Sequence, residues 1–215
     1  METLRYIAVE GPIGVGKTTL AKLLAEEFQA RLVLEEPEEN PFLPQFYKDP
    51  KGYGFQTQVF FLLSRYRQQK DLVQQELFRQ FTISDYLFAK DRIFAQLNLA
   101  GDELNLYENL YGSLDAKVIK PDLVIFLQAS VDILRHRIKK RGIRYEKTIS
   151  GKYIEDLCQA YNQFFFQYDE TPLLTVNCTE IDIVRNQGDY KNLLREILQM
   201  RKAKLDKHYV SISSK

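Results

Sequence analysis

Gly11-Pro12-Ile13-Gly14-Val15-Gly16-Lys17-Thr18-Thr19 follows directly on the apolar run Tyr6 to Val9 and leads into Leu20, Leu23, Leu24 and Phe28, which recur at helical spacing. A buried strand that ends in a glycine-rich turn and restarts as an amphipathic helix is the context in which a Walker A loop has physical meaning. Its backbone N–H groups can turn inward onto phosphate oxygens, and the helix presents its positive dipole end to the same oxygens. Lys17 can then reach the β- and γ-phosphates, and the Thr18 hydroxyl can take one magnesium ligand position. All nine residues from Gly11 to Thr19 are therefore read as a nucleoside triphosphate site, with Mg2+ as the accompanying ion, and as the ATP site once the acceptor class is read below. The loop alone does not name the acceptor, because kinases, GTPases and motor ATPases share it.

Outward from this loop, further apolar runs suited to buried strands occur at Leu32 to Leu34, Phe81 to Ile83, Leu123 to Leu127 and Leu173 to Val176. Longer stretches with helical periodicity separate them: Thr18 to Ala30, Phe55 to Phe78 and Asp102 to Ala116. Alternation of strands and helices predicts an α/β chain of the P-loop NTPase type, a five-stranded parallel sheet with helices on both faces. Ligands in such sheets bind beyond the carboxyl ends of the strands, so the residues just after each run carry the functional reading. The 215 residues suit a single domain, with a lid at about 137–148 and a serine-rich tail from about 206 expected to be disordered.

Composition excludes several classes of function. Thirty Lys plus Arg against 29 Asp plus Glu give a formal charge of +1, so no overall field favours nucleic acid or an anionic membrane. Two cysteines, Cys158 and Cys178, make neither a disulfide framework nor a metal set. No apolar run is long enough to span a bilayer, and the N-terminal residues leave no room for a signal peptide, so the expectation is a cytoplasmic protein.

The second strand closes on Glu35-Glu36-Pro37, where a carboxylate would lie near the γ-phosphate and could accept the proton of an acceptor hydroxyl. Glu36 is the candidate base. Gln58 and Arg65 lie seven residues apart in a helical stretch, close to two turns, so both project from one face. A carboxamide offers donor and acceptor together, which suits reading the edge of a planar base. Arg137 and Arg141 share a face of the helix after the fourth strand and precede Gly142 and Arg144, a basic segment of the kind that brings guanidinium groups onto a transferring phosphoryl.

These motifs, with Asn40-Pro41-Phe42-Leu43 and Phe46-Tyr47-Lys48-Asp49-Pro50, resemble the deoxynucleoside kinase family in its bacterial-type deoxyadenosine, deoxyguanosine and deoxycytidine kinase branch. The resemblance extends from Tyr6 to about Arg201. It implies that Glu36 is the general base on the 5′-hydroxyl, that Tyr47 and Glu146 meet the sugar 3′-hydroxyl, and that Gln58 and Arg65 read the base. It assigns Arg137 and Arg141 to the lid and Asp85, in Ser84-Asp85-Tyr86, to magnesium. Asp91, six residues beyond Asp85, has the family's spacing for an aspartate that orients Arg65, which favours deoxypurines or deoxycytidine over thymidine.

The chain departs from the family pattern in three places. Tyr86 stands where the family carries an arginine, leaving Lys90 or a lid arginine to grip the 5′-oxygen and the γ-phosphate. The base-stacking phenylalanine would fall on position 95, yet that residue is Ala95 and the phenylalanine is Phe94. The third lid arginine falls on Ile143, beside Arg144. The loop Asn177 to Ile183 is expected to wrap the adenine of ATP, and a helix-bundle homodimer through the long helices is expected by analogy.

Two other functions fit the sequence less well. A thymidylate-kinase-like monophosphate kinase must grip an acceptor phosphate, and an acidic second-strand end would repel one. A GTP switch needs an N/T-K-x-D segment after a strand. Ala203-Lys204-Leu205-Asp206 fails at its first residue. The reading is thus an ATP- and Mg2+-dependent kinase of a deoxynucleoside, with deoxyadenosine or deoxyguanosine preferred and deoxycytidine possible.

Overall fold

The computed structural model describes residues 5–75, 81–179, 186–203 and 207–211. All five expected strands are present: β1 (Tyr6–Glu10), β2 (Arg31–Val33), β3 (Thr82–Ser84), β4 (Leu123–Gln128) and β5 (Leu173–Asn177). A sixth, β6 (Lys207–Ser211), pairs in parallel with β5. The sheet runs in the order β2-β3-β1-β4-β5-β6 with every pairing parallel. Residues 207–211 of the segment expected to be a disordered tail therefore close one edge of the sheet. The row of N–H and C=O groups along the outer side of β5 offers pairing to any extended segment that reaches it, and this composition-based expectation took no account of that edge.

β1 shows why these strands read as unbroken apolar runs. Ile7 and Val9 point to one face and Tyr6 and Ala8 to the other, and all four are buried. The first face packs Leu20 and Leu24 of helix α1 (Lys17–Glu27), Leu134 and Ile138 of α6 (Val131–Arg141) and Leu193 and Ile197 of α8 (Gln187–Ala203). The second packs Ile93 of α4 (Lys90–Asn98) and Leu157, Tyr161 and Phe165 of α7 (Gly151–Gln167). A third cluster joins Leu62 of α3 (Pro50–Gln75), Ala95 of α4, and Tyr107 and Tyr111 of α5 (Gly101–Asp115). The short α2 (Leu43–Phe46) sits under the start of α3.

Helix α3 begins five residues before the expected Phe55. Pro50 takes the first helical position, where its missing N–H costs nothing, and the Asp49 carboxylate accepts the N–H of Gly52 at 3.1 Å. Gly54, near this start, lets α3 approach α4, since a Cβ there would lie 3.3 Å from the carbonyl of Asn98. Residues 76–80, where the expected helix ended, lie outside the described residues.

Candidate active site

β1 delivers the chain to the glycine-rich loop at the carboxyl edge of the sheet. Gly11 (φ 150°) and Gly14 (φ 85°) adopt backbone conformations that a side chain resists. A Cβ on Gly11 would lie 2.4 Å from the Leu127 carbonyl, and one on Gly14 would lie 2.8 Å from Ile138 Cγ1. The loop is thus pressed between β4 and α6. Val15 is buried in the core beneath it, while Ile13, Gly14, Lys17 and Thr18 line the cavity above. Gly11, Pro12, Gly16 and Thr19 belong to the loop but not to that lining.

Helix α1 starts at Lys17 without a side-chain cap on Gly16, so the N–H groups of its first turn are left for a ligand. Lys17 Nζ donates to the carbonyls of Gly11 at 2.7 Å and Pro12 at 3.3 Å, curled over the loop. Burial, and then the nearby Lys90 ammonium, push its proton affinity down. Thr18 Oγ1 donates to Asp85 Oδ2 at 2.5 Å, and Asp85 Oδ1 accepts the Glu35 N–H at 2.7 Å. Among the described residues no group of three His, Cys, Asp or Glu side chains could hold a metal. The Thr18–Asp85 pair fits a magnesium ion that draws its remaining ligands from phosphates and water, as this hard cation commonly does.

The cavity, about 170 Å³, continues from the loop toward α3 and α4. Glu35, not the expected Glu36, lines it. Glu35 stands two residues beyond Val33 in extended chain and therefore shares the face of that buried residue, whereas Glu36 turns outward and is exposed. The Glu-Pro spelling drew the expectation to Glu36; the period-two face of β2 is the sequence signal that would have selected Glu35. Its carboxylate is bound by Arg65 and by Lys90 Nζ, the latter at 2.8 Å. Burial by itself would raise the Glu35 carboxyl, but the two cations outweigh it and hold the group well below the usual carboxylate range.

Arg65 is gripped on both sides, by Glu35 and by the fully buried Asp91, with its guanidinium 4.8 Å from the Phe61 ring centroid. The expected Arg65–Asp91 couple is therefore present. Gln58, also buried, lines the same end of the cavity. Phe94 lines it too, while Ala95 packs against α3 and α5 in the core, which resolves the register at this helix in favour of Phe94. Planar walls come from Phe46, Tyr47, Phe61, Phe94 and Tyr145, with Tyr47 and Tyr145 stacked at 6.0 Å. Desolvation raises the Tyr47 hydroxyl well above its ordinary range, so it remains a neutral donor and acceptor.

The expected lid arginines part company. Arg141 lines the cavity and makes a two-pronged pair with Glu146, at 2.5 and 3.1 Å. Arg137 does not line it and instead bonds the carbonyls of Val15 at 3.0 Å and Cys178 at 3.4 Å, bracing the phosphate loop against the end of β5. Gly142 caps α6 in the left-handed conformation (φ 75°). Of the expected adenine loop, residues 180–183 lie outside the described residues.

Beneath the loop lies Glu10, which the sequence reading did not single out. Its fully buried carboxylate accepts from the N–H groups of Gly11 and Leu87, both at 2.8 Å, and from the Tyr161 hydroxyl at 3.0 Å. It joins the phosphate loop, the end of β3 and α7 into one rigid base. Tyr86 lies in the core, fully buried, and not in the cavity.

The cavity thus runs from the phosphate loop at one end to a slot between aromatic rings and the polar side chains of Gln58 and Arg65 at the other. Comparison with known proteins agrees. Deoxyguanosine kinase of Bacillus subtilis (strain 168) is 37% identical over 205 residues, covering 93% of this chain and 99% of that one. Deoxyadenosine kinase of Dictyostelium discoideum is 36% identical over 181 residues, covering 81% and 73%. A solved structure of deoxyadenosine kinase from M. mycoides with bound dCTP superposes with a TM-score of 0.79 at 28% identity, covering 90% of this chain and 99% of that one. No helix among the described residues is long and apolar enough to cross a membrane. The profile of the deoxynucleoside kinases matches residues 7–201, and the chain accordingly belongs to the deoxynucleoside kinase family as an ATP-dependent kinase.

Proposed function

We propose that this kinase transfers the γ-phosphoryl of ATP, with Mg2+, to the 5′-hydroxyl of a deoxypurine nucleoside, deoxyadenosine or deoxyguanosine, with deoxycytidine a lesser substrate, and that it serves nucleotide salvage in the cytoplasm. The observation that carries this reading is Glu35: a carboxylate facing the cavity between the phosphate loop and the Gln58/Arg65 slot. In that position it accepts the proton of the acceptor hydroxyl, the role first expected of Glu36. Lys17 and Arg141 meet the phosphates, and Thr18 with Asp85 holds the magnesium ion, whose charge offsets that of the transferring group. Tyr47 and Glu146 take the sugar, Gln58 and Arg65 read the base with Asp91 fixing Arg65, and Phe94 packs on it. Arg137 acts by holding the loop in shape.

The relatives named for deoxyguanosine and deoxyadenosine match this chain almost equally, at 37% and 36% identity, so only an assay separates the two bases. Exposed Leu63 on α3 and Leu106 and Leu110 on α5 support a homodimer through these helices, which sedimentation tests. Turnover of the four deoxynucleosides and their monophosphates, by wild type, Glu35→Gln and Glu36→Gln, tests the whole reading. Glu35→Gln should lose about 10²-fold or more in kcat and Glu36→Gln little. The opposite pattern restores Glu36 as the base, and faster turnover of a monophosphate refutes the hydroxyl acceptor.

A further inference from the structure

The cations of this cavity differ in how far they are already committed. Arg65 is held by Glu35 and Asp91, Arg141 by both oxygens of Glu146, and Lys17 by two loop carbonyls. Lys90 is the exception. It is only 2% exposed, lines the cavity, and has one close partner, Glu35 Oε2 at 2.8 Å, with Glu10 Oε2 more distant at 3.9 Å. An ammonium carries three donors, so Lys90, which lines the cavity, has donors to spare beyond the one given to Glu35. It also opens helix α4, where the helix dipole is positive and a lysine is electrostatically out of place. The helix itself therefore gives no reason for a lysine here; its charge is matched by Glu35 and, more distantly, by Glu10. Tyr86, which stands where the family resemblance leads one to expect an arginine, lies wholly in the core.

We propose that Lys90 is a catalytic residue of this kinase, the ammonium that bridges the acceptor 5′-oxygen and the transferring phosphoryl in place of the cation absent at Tyr86. The inference rests on the reading of Glu35 as the base. In the transfer, the hydroxyl proton passes to Glu35 and the 5′-oxygen bonds to the γ-phosphorus. The bond from that phosphorus to the bridging oxygen breaks, and its electron pair leaves with ADP. Lys90 stays protonated throughout. As Glu35 becomes neutral it releases its hold on the ammonium, which turns to the oxygens where negative charge gathers. Glu10, anchored by three donors, keeps the lysine chain aimed at that point.

The test compares Lys90→Gln, Lys90→Arg and Lys90→Ala with Glu35→Gln. Turnover is measured alongside deoxynucleoside binding without ATP by calorimetry, and folding is checked by thermal melting. Loss of a preorganised charge donor predicts a fall in kcat of roughly 10²- to 10³-fold in Lys90→Gln, with deoxynucleoside affinity changed by less than about threefold. Lys90→Arg should regain at least about tenfold of that loss, and ethylammonium should restore part of the turnover of Lys90→Ala in a saturable way. A Lys90→Gln enzyme within about threefold of wild-type kcat overturns the proposal, as does loss of kcat and nucleoside binding together with no rescue by arginine or amine. Should Lys90→Gln fail to fold, Lys90→Arg decides by the same two readouts. An inactive Glu35→Gln beside an active Lys90→Gln removes only this inference. An active Glu35→Gln removes the reading of the base and leaves the amine rescue to judge the lysine.

Discussion

Asp91 is fully buried and its charge is matched by Arg65, itself only 4% exposed. Replacing it by asparagine keeps the shape and one acceptor but strips the countercharge from a guanidinium that cannot reach water. Removing one partner of a buried pair commonly costs about 3–5 kcal/mol. Here Arg65 retains Glu35 on its other side and the Phe61 ring against its face, so the cost falls at or just below the bottom of that scale, roughly 2–3 kcal/mol. For a chain of this size the melting temperature should fall by roughly 5–10 °C. Urea unfolding of wild type, Asp91→Asn, Arg65→Met and the double variant measures the cycle, with a coupling energy above about 1 kcal/mol expected. The same variants should shift the ranking of the four deoxynucleosides by kcat/KM, because Arg65 freed from Asp91 no longer presents its donors at a fixed angle. An Asp91→Asn protein within about 0.5 kcal/mol of wild type, additive effects in the cycle, or an unaltered ranking each refute the reasoning.

Gly14→Ala forces a side chain into φ 85° with its Cβ 2.8 Å from Ile138 Cγ1, so stability should drop by about 2–4 kcal/mol and the KM for ATP should rise; an unchanged melting curve and KM refute the close packing of loop on α6. Arg141→Ala should cost less than about 1 kcal/mol of stability, since its ion pair is 44% exposed on the arginine side, yet lower kcat. Arg137→Ala should do the reverse, losing about 1–3 kcal/mol as two backbone carbonyls lose their donor, and equal melting points for the two variants would contradict the division of labour. Burial pushes the Cys178 thiol up to about 12, and raises that of half-buried Cys158 as well. A raised thiol pKa means scarce thiolate below it, about one part in 10⁴ for Cys178 at pH 8. A disulfide reagent should therefore label Cys158 first, faster as pH rises, and Cys178 only on unfolding. Prompt labelling of both thiols would refute the burial.

The architecture was readable because it depends on patterns that local chemistry imposes. A doubly buried parallel strand must be apolar on both faces, so β1, β4 and β5 announce themselves as runs, and a phosphate loop must carry glycine where backbone crowds backbone. Lys17, Thr18 and the seven-residue spacing of Gln58 and Arg65 follow from the same local rules. What the sequence left open was direction. Glu35 and Glu36 are chemically identical neighbours, and only the face on which β2 leaves the sheet turns one into the cavity and the other into solvent. Phe94 and Ala95 differ by one hundred degrees of helix rotation, which the packing of α4 against α3 and α5 sets. Arg137 and Arg141 share a helix face, yet the distance to the loop carbonyls commits the first to bracing and frees the second for the cavity.

Strand β6 and the buried carboxylate of Glu10 belong to the same lesson, since each takes its meaning from partners more than 25 residues away in the chain. The sequence by itself determined the phosphate loop, the parallel sheet and the kind of chemistry at its carboxyl edge, because these rest on periodicity and spacing within a few turns of chain. Tertiary structure alone decided which carboxylate faces the cavity, which cations pair with it, and which tyrosine fills the core instead, because burial and charge pairing are set by contacts between elements far apart in sequence.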